Sequence, residues 1–260
     1  GYKADLAVFD DLRTLNVKQV YKGGKLVAEN GKMLHQKEKN TDWSTEIKER
    51  VFHSFHRVPI TVEELQLKET TGTHQRVIDM VAHELITKER IEEWKELPGV
   101  APGVDISRDI VKLAAIERHK NTGHVGLGFL GKYGLKKGAV ATSIGHDSHN
   151  LVIAGVTDED MVLAGNRVIE NGGGLAIALE GKVLADLPLP IGGLMADEPV
   201  EVVDEKLEHM KKLSVELGIS EDIDAFMTLA FISLPVIPKL RLNTYGVIDV
   251  EKHQVVEARF

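Results

Sequence analysis

Short apolar runs alternate with polar positions at the start of the chain, and the alternation predicts strands. Residues 4–10, Ala-Asp-Leu-Ala-Val-Phe-Asp, form one such run, and residues 17–21 and 25–28 form two more. Lys22-Gly23-Gly24 separates the last two and offers the positive φ that a tight hairpin needs, while Asn30-Gly31 is a second turn signal. Three strands of this length bury little alone. The pattern therefore predicts a partner sheet, from the other end of the chain or from polypeptide beyond it. A strand entered almost directly from Gly1, with no initiating Met, reads as a sequence opened partway through a longer protein.

From residue 32 to 59 the chain turns polar, with His35, Trp43, His53 and His56 scattered through it. This reads as a connector carrying one short helix over 43–51. In the segments 76–82 and 84–93, helical spacing of Val77, Met80, Val81, Leu85 and Ile91 competes with β-branched Val77, Ile78, Val81, Ile86 and Thr87; strands are the expectation. The run 109–117 has the continuous apolar character of a strand covered on both faces. Next, 151–156 is apolar, 158–171 is amphipathic with Asp158 near its start and Gly172 beyond its end, and 175–179 is apolar again. That order predicts a βαβ unit with a parallel pair and a right-handed crossover. Glu180-Gly181 then turns the chain into a strand over 182–186. A helix is expected over 200–217, with Val203, Leu207, Met210, Leu213 and Leu217 along one stripe. The apolar run 229–237, interrupted by Pro235 and followed by Pro238, reads as buried chain bounded by proline turns. The expected architecture is α/β or α+β, a mixed sheet with a βαβ unit and packed helices. It spans 61–260 and follows strands in 1–35 and a connector over 36–60.

Composition narrows the class. The chain has 260 residues, 43% of them hydrophobic and 28% charged, which excludes disorder and collagen-like structure. With no Cys, disulfides, thiolate zinc sites and cysteine nucleophiles are excluded too, and a reducing cytoplasm fits. Lys and Arg number 32 against 40 Asp and Glu, so the net charge of −8 argues against a nucleic-acid partner. The apolar runs 151–156 and 229–237 are too short to span a bilayer, and no signal peptide precedes them, so no membrane partner is expected.

The densest chemistry lies in Thr142-Ser143-Ile144-Gly145-His146-Asp147-Ser148-His149-Asn150. Loops held by rigid strands commonly carry binding groups. His146 and His149 are candidate ligands, proton carriers or donors to an aromatic nitrogen, and Asp147 can orient an imidazole by accepting its N–H. The alternative is a capped turn in which Asp147 and Asn150 satisfy backbone groups. A metal reading of His146-x-x-His149 lacks a third ligand nearby. His53-x-x-His56 reads as exposed histidine on the connector. Gly126-Leu127-Gly128-Phe129-Leu130-Gly131 matches the dinucleotide string, but Gly134 and Gly138 follow too soon for the helix that would hold a pyrophosphate. Residues 123–138 are accordingly expected to form close-packed turns, and Gly172-Gly173-Gly174 to end a helix. Arg118-His119-Lys120 reads as a surface charge cluster. Its alternative is that Arg118 or His119 faces the same pocket as the 146–150 loop.

These residues together resemble one family. Ala4-Asp5-Leu6-Ala7-Val8, Asp10-Asp11-Leu12, Val17, Val20 and Gly24-Lys25-Leu26-Val27 are similar to strands closing the small β-sandwich of amidohydrolase-superfamily enzymes. More specific are Glu117-Arg118-His119, Thr122-Gly123, Gly126-Leu127-Gly128-Phe129, Ser143 through Asn150, residues 171–174, Leu187-Pro188-Leu189-Pro190, Gly193-Leu194-Met195 and Leu234-Pro235-Val236-Ile237-Pro238. These resemble the C-terminal domain of bacterial and archaeal adenine deaminases. The resemblance implies hydrolysis of adenine to hypoxanthine and ammonia in purine salvage. It further implies a divalent metal, manganese or iron, that activates the attacking water, and a carboxylate that carries the proton to the leaving amine. In the family those metal ligands belong to a (β/α)₈ barrel. No barrel pattern and no His-x-His strand motif occur in this sequence, so a missing N-terminal barrel is the expected partner and no metal ligand is assigned here. His146, Asp147, Ser148, His149 and Asn150, with Arg118 and His119, are expected to form an active-site wall or to contact adenine. The segment alone is expected to be inactive, and the whole protein a homo-oligomer. The competing expectation is a non-catalytic module that stabilises or dimerises a metal-dependent hydrolase through the 200–217 helix and the apolar tail.

Overall fold

The computed structural model describes residues 1–34, 43–67 and 72–260; His35 and residues 36–42 of the expected connector lie outside the described residues. Two units divide the chain, Gly1–Ser44 and Thr45–Phe260.

The first unit is an antiparallel meander of β1 (Leu6–Phe9), β2 (Val17–Lys22), β3 (Lys25–Glu29) and β4 (Lys32–Met33). Gly23 and Gly24 both take positive φ, +55° and +79°, which suits the right-handed twist of the strands they join. Asp5 fastens this turn by accepting from the Gly23 N–H at 2.7 Å and pairing with Lys22 at 2.6 Å.

The second unit begins with helix α1 (Thr45–Phe52). Its main sheet comprises β5 (His74–Met80), β6 (Thr87–Glu93), β7 (Ile110–Ile116), β8 (Val125–Gly131), β9 (Ala139–Thr142), β10 (Leu151–Gly155), β11 (Gly174–Leu179) and β12 (Lys182–Pro188). The spatial order is β12-β11-β9-β10-β7-β8-β5-β6, and among the described residues β5 with β8 is its one parallel pair. Helix α2 (Asp158–Glu170) covers one face; α3 (Val200–Glu216), α4 (Ala225–Ile232) and a small sheet of β13 (Leu240–Asn243), β14 (Gly246–Asp249) and β15 (Gln254–Val256) cover the other. Because both faces are covered, all seven residues of β7 are buried, which explains the continuous apolar run. Its alternate positions divide accordingly. Val111, Leu113 and Ala115 pack with α3 and α4, while Ala114 and Ile116 pack with Met161, Ala164 and Val168 of α2. Lys112 belongs to the α2 side and reaches Asp158 at the helix start at 2.6 Å. Burial lowers the Lys112 pKa, and the Asp158 carboxylate opposes that shift.

Most strands and helices fall where the apolar pattern predicts, and three readings are corrected. First, β10, α2 and β11 do form a β-α-β sequence, but β9 lies between the two strands and pairs antiparallel with both. The two are therefore parallel without being neighbours. Secondly, the glycine string 126–131 is strand β8 and not a set of turns. A Cβ on Gly126 would collide with the Asn243 carbonyl oxygen, and one on Gly131 with the Asp79 carboxylate, so glycine there admits close packing. Thirdly, 229–232 belongs to helix α4, which starts earlier, at Asp224, whose carboxylate accepts from the Phe226 and Met227 N–H groups at 3.1 and 2.9 Å. Its apolar residues surround the whole helix, so no amphipathic period marks it.

Candidate functional site

The register of β7 against β10 builds the site. Leu151 pairs with Ile116, so the residues leaving β7 run beside those entering β10. Extending that antiparallel register sets Arg118 opposite His149 and His119 opposite Ser148, and the hydrogen bonds follow it. Arg118 Nε donates to the His149 carbonyl at 2.5 Å, and His119 Nε2 donates to the Ser148 carbonyl at 2.8 Å. A carbonyl only accepts, so the proton of His119 sits on Nε2.

Arg118 is 1% exposed, so the surface-cluster reading fails for this residue; His119 and Lys120 do remain exposed. The guanidinium also donates to the carbonyls of Ser54 at 3.5 Å and Gly192 at 3.0 Å, and it lies 4.9 Å from the centre of the Phe55 ring. It makes no ion pair among the described residues. Burial brings its pKa down to about 10, which leaves it cationic at neutral pH. Three separate segments are thus tied to one buried cation. Segment 54–60 is held in place by a reciprocal amide bond: Ile60 N–H to Asn166 Oδ1 at 2.8 Å and Asn166 Nδ2 to Ile60 O at 3.0 Å. Ser143 reinforces the Gly192 side, donating to Gly193 O at 2.6 Å and accepting from Gly174 N–H at 2.7 Å.

Helix α4 supports the other flank of the loop. The His146 N–H donates to Ala230 O at 2.8 Å, and Ser233 Oγ donates to His146 O at 3.1 Å. The His146 ring stacks on Phe231, with centroids 5.4 Å apart and planes at 17°. Backbone bonds therefore fix the loop while the side chains of His146, Asp147 and Ser148 stay exposed. His149 is half-buried, and desolvation first, then the Arg118 charge, holds its pKa below the ordinary 6.5. It is accordingly neutral at pH 7 and able both to donate and to accept. Asn150 Oδ1 is buried with no hydrogen-bond partner among the described residues. Beside the loop, Glu117 accepts from the N–H groups of His119, Lys120 and Thr122 and from the Thr122 hydroxyl, and its pKa is lowered to about 2.

The structure thus gathers all seven residues expected from the sequence. Phe231 and Ser233 of the α4 region, Gly192, Ser143 and the 54–55 segment were not foreseen in this role. The β7–β10 register was the one available signal, since two strongly apolar runs separated by a polar stretch can pair as neighbours. No group of three or more His, Asp or Glu able to hold a metal ion occurs among the described residues.

A sheet covered on both faces, with one exposed polar loop that carries two imidazoles, defines a mixed α/β domain. The sequence pattern of the adenine deaminase C-terminal domain matches residues 84–254, and the chain belongs to that family. It is 43% identical over 257 residues to adenine deaminase 2 of Carboxydothermus hydrogenoformans, covering 98% of this chain and 44% of that protein. It is 40% identical over 258 residues to the adenine deaminase of Lysinibacillus sphaericus, covering 99% and 43%. With that of Petrotoga mobilis the identity is 42% over 253 residues, covering 97% and 43%. The chain thus spans less than half the length of these curated relatives.

Proposed function

We propose that the chain is the C-terminal part of an adenine deaminase, a metal-dependent enzyme that hydrolyses adenine to hypoxanthine and ammonia. In this reading the 146–150 loop walls a reaction centre housed in an N-terminal barrel. The observation that carries it is the match along 98% of the chain to a protein named adenine deaminase 2 that is more than twice as long. In this reading manganese or iron is held by the barrel. His146, its ring flat on Phe231, serves as a donor or acceptor toward the purine edge; neutral His149 and Asp147 extend the same polar wall. Arg118 and His119 position the loop through its backbone. Among the described residues no helix is long and apolar enough to cross a membrane, and the reading places the enzyme in cytoplasmic purine salvage as a homo-oligomer.

The test is made in the longer protein. Replacing His146 and His149 together by Ala lowers adenine turnover about tenfold or more, the scale of a lost acid–base or binding contact, while metal content is retained. Unchanged kinetics would defeat the assignment of the loop. The 260-residue chain alone releases no ammonia from adenine; metal-dependent release by pure material would contradict the reading. A barrel-encoding stretch upstream of Gly1 in the same reading frame is its simplest genetic requirement.

One observation favours a second reading for the first unit. Leu6, Val8, Phe9 and Met33 are exposed on a short sheet, which suits a stabilising or oligomerising module. If loop variants bind and turn over adenine normally, that reading prevails for the whole chain.

A further inference from the structure

Arg241 of β13 is 1% exposed, yet among the described residues it makes no ion pair. One terminal nitrogen donates to the Leu85 carbonyl, and Nε has no hydrogen-bond partner. Burial lowers its pKa to about 10, so the group is charged at neutral pH. A buried, uncompensated cation is costly, and arginine in such places ordinarily meets a carboxylate or phosphate.

Arg241 lines a cavity of about 180 Å³ whose other walls include Met80, Ile86, Met227 and Phe231. Glu84 also lines it and is exposed to solvent. At about 30 Å³ per water-sized group, the space suits roughly six non-hydrogen atoms. Its chemistry is divided: one guanidinium with a free donor, then thioether, aliphatic and aromatic surface. A phosphate would want several donors and gains nothing from such walls. A planar, singly charged head with a short apolar tail matches both parts, the head on the guanidinium fork and the tail against the methionines.

We propose that this cavity binds a short aliphatic monocarboxylate, with Arg241 taking the carboxylate and Met80, Ile86, Met227 and Phe231 enclosing the tail. The site is separate from the polar wall of the 146–150 loop, although Phe231 borders both. Its test therefore stands apart from adenine turnover.

Butyrate is titrated into the longer protein that carries this chain, by calorimetry and by thermal melting, with butyramide as the uncharged isostere. Butyrate binds and raises the melting temperature, and butyramide does neither. Arg241→Met weakens butyrate at least about tenfold, the scale of a lost charge-assisted pair. Thr228 of α4 also lines the cavity; Thr228→Phe fills it while leaving Arg241 in place and abolishes binding, circular dichroism confirming the fold, and this variant decides the matter if Arg241→Met does not fold. Equal affinity for butyrate and butyramide, no binding of either, or wild-type affinity in a folded variant overturns the proposal.

Discussion

Arg118 donates from Nε to the carbonyl of His149 at 2.5 Å, across 31 positions of sequence, because the Leu151–Ile116 pairing brings the ends of β7 and β10 together. One buried guanidinium thereby holds the segments around Ser54, His149 and Gly192 with donors that no other side chain of that reach supplies. Arg118→Met leaves three carbonyls short of a donor. The expected cost is roughly 2–4 kcal/mol of stability, read as a lower urea midpoint. Faster amide exchange confined to 145–150 and 190–194 should accompany it. Arg118→Lys keeps the charge and loses the fork, so it falls between the two. An unchanged midpoint in the Met variant would falsify the clamp.

His149 makes stability depend on pH in a defined direction. Its folded pKa lies below the 6.5 of the unfolded chain, so between those values the unfolded state binds more protons. Its contribution is absent above about pH 6.5 and becomes destabilising as pH falls toward and through the folded value. His149→Gln removes that dependence. Urea midpoints measured from pH 7.5 to 5 should therefore decline less steeply for the variant than for the parent, and parallel declines would sink the idea.

Glu117 acts lower on the scale. Its folded pKa of about 2 lies below the ordinary 4.5, so its stabilisation is fully present above 4.5 and is lost as pH falls toward 2. Glu117→Gln keeps the size but not the charged acceptor for the three N–H groups of the 119–122 turn. The expected cost at pH 7 is about 1 kcal/mol, comparable with a lost helix cap. The difference from the parent should shrink as pH falls below 4.5 and disappear only once pH passes below about 2, provided both proteins remain folded there.

Gly126 and Gly128 sit on the same face of β8 but differ in what they meet. A Cβ at 126 strikes the Asn243 backbone oxygen, which cannot move without the β13–β14 hairpin; a Cβ at 128 meets Val247 Cγ2 at 3.0 Å, a side-chain end that can yield. Gly126→Ala is thus expected to cost about 2–3 kcal/mol and Gly128→Ala about 1 or less. Thermal melts of the two variants check the order, and the reverse order would refute the close-approach explanation.

Local patterning carried much of the architecture. The hairpin at Gly23-Gly24, the ambiguous strands 74–80 and 87–93, the buried strand 110–116 and the amphipathic helices α2 and α3 follow from residue spacing. Each depends on its own side chains meeting one or two apolar faces, a property written in periods of two and 3.6. Helix α4 escaped because Ala-Phe-Met-Thr-Leu-Ala-Phe-Ile is apolar all round and has no period to read. The glycines of β8 escaped for the opposite reason. Their meaning lies in the Asn243 and Asp79 atoms that approach them from distant parts of the chain.

The same division runs through the candidate site. The composition of residues 142–150 was enough to single out the loop, since two imidazoles and a carboxylate between apolar runs are legible without coordinates. That Arg118 is buried under it, that His146 lies on Phe231 and that β9 separates β10 from β11 came from long-range pairing alone. Spacing along a strand tells which face a residue takes. Which strand lies next to it is a choice among nearly equivalent apolar edges, settled when both faces of the sheet close over a common core.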